Sequence, residues 1–323
     1  MAVILPALVP IFFVLLLGFT AGKRGVVKSA HVGGLNTVVM SYALPASLLA
    51  ATAATPRASM LEQWPLLVTL VVAMMLIYPL WYLLQRRVLR RSVSESAMQS
   101  LTVAQPSYAA AGLPIVTELL GPHHIVPAAV AIAAGSLFPS PITLALFELA
   151  KAAPTANSAS SGAPTDRTGN AARFAAAFAR AFLKPVVLAP AAGILISLVG
   201  WRLPTLATVA LREMGQVAGA LALFVTGLIL SMQRLRLNGN VLLATVVVTV
   251  IQPLLAFAIA NALGAAPDVL KMSVLLAALP SGFFGILLGA NAGFSSEDSG
   301  AIVIASTVVC AGTLALIIGW LYG

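Results

Sequence analysis

The chain has 323 residues, 60% hydrophobic and only 8% charged, with a mean hydropathy of +1.02. A water-soluble domain is nearer a quarter charged, so the composition excludes a soluble globular protein and defines an integral membrane protein. The net charge is +9, with 18 Lys and Arg against 9 Asp and Glu, but the basic residues cluster in short loops and read as orientation signals rather than as a nucleic-acid face.

A membrane span needs about 20 apolar residues. Ten such runs occur, near 2–21, 34–54, 64–84, 97–120, 125–149, 182–200, 205–231, 239–262, 269–291 and 299–321. The first, "MAVILPALVPIFFVLLLGFTAG", has no basic residue ahead of its apolar run, and Lys23 and Arg24 follow it. It reads as a retained helix that starts outside, not as a secretory signal. The turns between spans carry Gly, Pro and charge, as in "GKRGVVK", "ATPRAS" and "VGWRLP".

Fourteen of the 18 basic residues fall in the loops after spans 1, 3, 5 and 7, among them Arg86, Arg87, Arg90 and Arg91. Arg57, Arg202, Arg212 and Lys271 lie on the other side. The positive-inside rule then puts both termini outside the cytoplasm, in a multi-pass protein of the inner membrane. The Arg86–Arg91 group reads as a topogenic anchor with attraction for anionic lipid.

One connection is longer than the rest. "KAAPTANSASSGAPTDRTGN", from Lys151 to Asn170, is small and polar and reads as a flexible linker. It divides the chain into residues 1–150, a first five-helix repeat, a cytoplasmic linker over 151–173, and residues 174–323, a second repeat. Five is odd, so the second repeat lies inverted in the membrane relative to the first, the arrangement of an inverted-repeat transporter.

The fourth span of each repeat is interrupted. Span 4 carries "QPSYAAAGLPIV", with Pro106, Gly112 and Pro114; span 9 carries Pro280-Ser281-Gly282. Proline removes a backbone donor and clashes with the carbonyl four residues back, and glycine lets the chain turn. The freed peptide groups must face protein or a wet cavity, because in lipid each costs several kcal/mol. Matched breaks in the two halves point to a substrate site near the midplane. Half-helices that begin there aim their positive dipole ends at the crossing and favour an anion. Gln105, Ser107, Tyr108 and Ser281 can add hydrogen bonds, so the predicted substrate-binding set is Gln105, Ser107, Tyr108, Gly112, Pro114, Pro280, Ser281 and Gly282.

At these residues a family resemblance emerges. "LNTVVMSYALPASLLAATA" (35–53) resembles the second-helix signature of the auxin efflux carrier family, with Asn36 nine residues before Pro45. "SYAAAGLPIVTELLG" resembles its fourth-helix motif, "ALALFVTGLILS" its seventh and "LLAALPSGFFGILLGANAG" its ninth. The resemblance covers nearly the whole chain apart from the linker. It implies an all-α fold of ten helices with spans 4 and 9 crossing at prolines. It also implies a scaffold of spans 1, 2, 6 and 7, which can pair two copies into a homodimer, and a mobile transport unit of spans 3–5 and 8–10, hence elevator-type alternating access. Bacterial members are linked to malonate and malate and plant members to auxin, all carboxylates. Bile acid–sodium symporters share the fold. Ser107 stands where the family's fourth-helix motif has asparagine.

Other polar residues in the spans are candidates for coupling or support: Glu118, Asn36, Ser136, Ser140, Gln216 and Asn291. An intramembrane carboxylate such as Glu118 is a functional hypothesis by default, whereas buried amides more often bond between helices. Ser136 and Ser140, with Pro139 and Pro141, interrupt span 5. Glu148, Glu297 and Asp298 read as interfacial. The single cysteine, Cys310, allows no intrachain disulfide, and no metal-ligand cluster occurs. His31, His123 and His124 read as loop residues. With no Gly-x-Ser-x-Gly motif and no phosphate loop, catalysis and direct ATP drive have no sequence support, and no cofactor is expected. The expected function is a secondary transporter of a small organic anion coupled to protons or sodium. A sodium symporter of the bile-acid type is the alternative within transport, and a channel or receptor the alternative outside it.

Overall fold

A computed structural model describes residues 4–120, 125–152, 170–201, 203–232 and 236–322. Within them the chain is helical and no strand forms. Six helices are long and apolar enough to cross a membrane: Ala30–Ala53, Trp64–Val88, Val126–Lys151, Thr205–Ser231, Gly239–Ala262 and Glu297–Leu321. A seventh is the pair Phe174–Phe182 and Pro185–Val199, bent by 62°.

In chain order, α1 (Ile4–Lys23) is followed by α2 (Ser29–Val38) and α3 (Leu44–Ala53), then the short α4 (Arg57–Glu62), α5 (Trp64–Leu83) and α6 (Val93–Ala104). Next come α7 (Leu113–Leu120), α8 (Ile125–Leu137), α9 (Pro139–Ala152), α10 (Asn170–Phe182), α11 (Pro185–Val199) and α12 (Thr205–Ser231). The chain closes with α13 (Gly239–Val246), α14 (Gln252–Ala262), α15 (Pro267–Ala277), α16 (Phe284–Asn291) and α17 (Glu297–Tyr322).

Three joints between these helices have one cause. π-helical turns at Val39–Ala43, Tyr108–Gly112 and Val247–Ile251 each end two residues before a proline, at Pro45, Pro114 and Pro253. Proline cannot donate to the carbonyl four residues back. A widened turn lets an earlier N–H reach one residue further, and such bulges carry the helix past the defect. Leu44 N–H donates to Val39 O, Gln252 N–H to Val247 O, and Gly112 N–H to Ser107 O at 3.1 Å.

Two groups of helices result. α1, α2–α3, α11 and α12 pack on one another, while α5, α6, α9, α13–α14, α15, α16 and α17 form the other group. α1 lies along α12 through two glycines. A Cβ on Gly18 would collide with the Phe224 carbonyl, and one on Gly227 with the Leu15 carbonyl. In the second group α6 is buried along Ser96–Ala104. Its hydroxyls fold back onto its own carbonyls, Ser100 Oγ to Ser96 O at 2.7 Å and Thr102 Oγ1 to Met98 O at 2.9 Å. Polar side chains can therefore line a tight interhelical seam without unpaired donors.

Two expectations need correction. Residues 170–173 do not belong to a structureless connection, because α10 begins at Asn170. Ala177 and Ala181 of this helix are buried, it packs on α9, and Phe174, Phe178 and Phe182 stack along one side. The linker's remaining residues 153–169 lie outside the described residues, as do His123 and His124. His31 is not in a loop but in the first turn of α2, where it is exposed.

Replacing Gly227 with leucine is expected to force α1 off α12. The obstacle is a backbone carbonyl that cannot rotate away, so a loss of about 1–3 kcal/mol or more is expected. It would be read as a lowered melting temperature of the purified protein in detergent, with Gly219→Ala, which meets nothing within 4 Å, as the control.

Candidate functional site

The two interrupted segments meet. α6 ends at Ala104 and the helix resumes at Tyr108; α15 ends at Ala277 and α16 begins at Phe284. The extended residues between them lie antiparallel, with Pro106 facing Ser281. Ser107 N–H donates to Pro280 O at 2.9 Å, and Gly282 N–H donates to Gln105 O at 2.8 Å. Each break thus supplies one donor and one acceptor to the other, which answers the problem of peptide groups stranded in a membrane. Proline fits on both strands because neither Pro106 nor Pro280 is asked for an N–H. Gly282 is required by proximity: a Cβ there would lie 2.6 Å from Gln105 O.

Side chains around the joint hold it from outside. Gln252 Nε2 donates to Ala104 O at 2.8 Å, Ser281 N–H to Ser306 Oγ at 3.2 Å, and Cys310 Sγ to Ala278 O at 3.3 Å. Ser140 Oγ bonds Gly135 O at 2.9 Å and Gln105 Oε1 at 3.4 Å. Gly135 leaves room for Gln105, since a Cβ there would sit 2.5 Å from its Nε2. Asn36 Nδ2 donates to Leu287 O at 3.0 Å and ties α2 to α16. Three polar atoms near the joint are buried with no partner: Ser281 Oγ, Gln252 Oε1 and Asn36 Oδ1.

A cavity of about 300 Å³ opens on the joint, lined by Ser107, Pro280, Ser281 and Phe283 from the breaks, Leu15, Leu16 and Phe19 from α1, Leu223 from α12, and Val303, Ile304 and Thr307 from α17. A smaller recess of about 40 Å³ lies beside Gln105, Tyr108, Ser136 and Gly282, against Leu44 and Leu48 of α3. A third cavity, about 450 Å³, holds Arg57 and Trp201 at the ends of α3 and α11 and does not touch the joint. Among the described residues, no group of three or more His, Cys, Asp and Glu is placed to hold a metal.

The structure brings together Gln105, Ser107, Tyr108, Pro280, Ser281 and Gly282, with Ser136 and Ser140 beside them. Gly112 packs on the far strand, where a Cβ would be 3.0 Å from Leu279 Cδ1. The break itself is at 105–107, however. Gly112 and Pro114, expected to be part of it, lie in the half-helix that follows, where Pro114 causes a π turn rather than an interruption. Asn291 does not reach the joint: it is exposed at the end of α16, about 10 Å along the helix from Phe284. The side chains of Pro114, Glu118 and Gln216 lie outside the described ones.

A second polar cluster was not anticipated. Asp298, only 7% exposed, is bonded by Arg91 Nη2 at 3.2 Å, Asn238 Nδ2 at 2.8 Å and Asn240 Nδ2 at 2.9 Å. Asn240 Nδ2 also reaches Gln99 Oε1 at 2.9 Å, Gln85 Nε2 reaches Asn240 Oδ1 at 2.6 Å, and Arg91 pairs with Glu95 at 3.4 Å. The cluster joins the ends of α5, α6, α13 and α17. Asp298 and Arg91, read from the sequence as interfacial and topogenic, are also structural. Spacing alone gives no signal for a contact between residues 207 positions apart.

A bundle of membrane-crossing helices with two facing breaks is the framework of a multi-pass membrane transporter. The chain belongs to the membrane transport protein family, whose model matches residues 3–318, and which is the auxin efflux carrier family that the motifs resemble. It is similar to the uncharacterized transporter YfdV of Escherichia coli K12, with 25% identity over 285 residues, 88% of this chain and 87% of the relative. The YfdV proteins of E. coli O157:H7 and Shigella flexneri match equally.

Arg91→Ala is expected to leave Asp298 nearly buried without its cation. With Arg91 40% exposed, the loss is set at about 1–3 kcal/mol, seen as a lower melting temperature than for Arg87→Ala. Adding Asp298→Asn to Arg91→Ala is expected to recover part of the loss, a coupling a double-mutant cycle will measure.

Proposed function

We propose that this protein is a secondary active transporter of a small organic anion, such as malonate, malate or an auxin-like carboxylate, and that the joint between α6–α7 and α15–α16 is its substrate site. The observation that carries this reading is the pair of reciprocal backbone bonds between the two breaks, with a cavity against them. Two half-helices begin at that cavity, and their positive ends favour a bound anion.

On this reading the protein has ten spans. Added to the seven spans are α1 and the two broken segments α6–α7 and α15–α16, for ten in all, split by the 153–169 connection into two inverted sets of five. The Arg91–Asp298 bond unites the loops after spans 3 and 9, and the Lys184–Glu148 pair at 3.6 Å brackets the loop after span 5. The first of these supports one shared face for the loops after spans 3 and 9. That face is taken as cytoplasmic from the arginine and lysine distribution, with both termini outside, in the inner membrane. α1, α2–α3, α11 and α12 serve as the scaffold, through which two copies pair, and the second group moves as the transport unit in an elevator cycle. Membrane lipid surrounds the bundle. Neither nucleic acid nor an organic cofactor has a role, and a proton or sodium gradient supplies the drive. Sodium coupling, the bile-acid-symporter alternative, is favoured by one observation: the orphaned Gln252 Oε1 and Ser281 Oγ are acceptors of the kind that sodium takes.

The test is solid-supported membrane electrophysiology on proteoliposomes, with a carboxylate panel and imposed proton or sodium gradients. Saturable currents that respond to one gradient are expected. Pro106→Ala, Pro280→Ala and Gly282→Ala are each expected to reduce them at least tenfold in protein that still inserts and elutes as one species. Pro114→Ala, outside the break, is expected to act more weakly. Non-saturating currents would mean a channel, and full activity in all three break variants would remove the joint as the site.

A further inference from the structure

We propose that the cavity at the joint takes a monocarboxylate with an apolar body in preference to a dicarboxylate. The inference rests on the reading of the joint as the substrate site and narrows the class of substrate.

The charge balance comes first. The helix that resumes at Tyr108 and the helix that begins at Phe284 both start at this cavity, through Ser107 and Phe283. Each helix start carries roughly +0.5 of an elementary charge. Two of them offset about one negative charge. The opposing negative ends of α6 and α15 do not line the cavity, and there Ala104 O and Ala278 O are bonded by Gln252 and Cys310. A second carboxylate on the same ligand would remain uncompensated, and an unpaired charge away from water is strongly disfavoured.

The lining agrees with that limit. Ser107, Ser281 and Thr307 are the lining residues that bear hydroxyl groups; Thr307 Oγ1 already donates to Val303 O, whereas Ser281 Oγ is buried with no partner of its own. Ser281 is 2% exposed, so it is a buried polar side chain at the cavity wall in need of a hydrogen bond. The rest of the described lining is apolar, including Phe19 from α1, Leu223 from α12 and Ile304 from α17. A carboxylate at the joint would extend its carbon chain between these walls. A second carboxylate at the far end of such a chain would meet Phe19 and Leu223, and no cationic side chain stands among the described lining residues. The volume, about 300 Å³, is at the lower end for ligand pockets and suits a small acid.

Butyrate and succinate make the decisive comparison, since both have four carbons and differ in the second carboxylate. Binding is measured by isothermal titration of the full-length protein in detergent micelles at neutral pH. Binding avoids the confusion that protonated short acids cross lipid unaided. Butyrate is expected to bind at least tenfold more tightly than succinate, and malonate no better than succinate. Along acetate, butyrate and hexanoate, each added methylene is expected to tighten binding about fourfold until the cavity is full. Butan-1-ol, with the tail and no charge, is expected not to compete. Leu223→Asn is expected to flatten the chain-length series while sparing acetate.

Succinate or malonate binding as tightly as butyrate, or no binding by any of these acids, would overturn the proposal. The site reading has a separate check. Binding of butyrate with unchanged affinity to folded Gly282→Val and Ser281→Ala would mean that the acid sits elsewhere, and both readings would fall. Loss of succinate binding in those variants, with succinate the better ligand in the unaltered protein, would keep the joint as the site and discard only the monocarboxylate class.

Discussion

Two backbone hydrogen bonds, Ser107 N–H to Pro280 O and Gly282 N–H to Gln105 O, are the constraint around which this molecule is arranged. A helix interrupted inside a bilayer strands peptide groups that lipid cannot satisfy. One broken segment could find partners only in side chains or water. Two that run antiparallel satisfy each other. The strands must therefore come within hydrogen-bond distance, and Gly282 has no room for a side chain. Gln252 and Ser306 then complete the shell by bonding Ala104 O and the Ser281 amide.

The surrounding helices differ according to whether they carry this joint. α5, α6, α14 and α17 surround it with buried hydroxyls and amides, and they are bound again at their ends through Asp298, Asn240 and Arg91. α1 and α12 instead meet through Gly18 and Gly227, close enough that side chains give way to backbone contact. One group is thus braced by polar contacts at its middle and at one end, and the other by close apolar packing. The cavity lies where the two meet, with Phe19 and Leu223 on one side and the joint on the other. A bound molecule there would touch both groups.

Much of this was legible in the sequence. Long apolar runs mark the membrane-crossing helices, because their length is set by the bilayer. Pro106 and Pro280 mark the breaks, because a missing N–H acts locally. Pro114 was misleading for the same local reason: proline forecasts a disturbed helix, but whether the result is a π turn or an interruption depends on whether a neighbouring strand is available to take the freed groups. α10 carries a helical signal, an alanine-rich run with phenylalanine every fourth residue, but it is too short and too charged for a membrane span and so reads as part of the connection. The Asp298 cluster was missed because its members come from four distant segments, and each alone reads as an ordinary interfacial residue.

The joint is built from main-chain atoms, and this has a consequence for how such a protein can change. Peptide groups are the same in every residue, so the two hydrogen bonds of the crossing do not depend on which side chain residue 107 carries, whereas the prolines and the close-packed Gly135 and Gly282 are constrained. Ser107 contributes its amide to the joint and its hydroxyl to the cavity, two separate duties carried by one residue. The first would be met by asparagine, alanine or threonine alike, and the second changes with each. The chemistry of the cavity wall at residue 107 can thus change by a single substitution while the hydrogen-bonded framework of the joint stays standing.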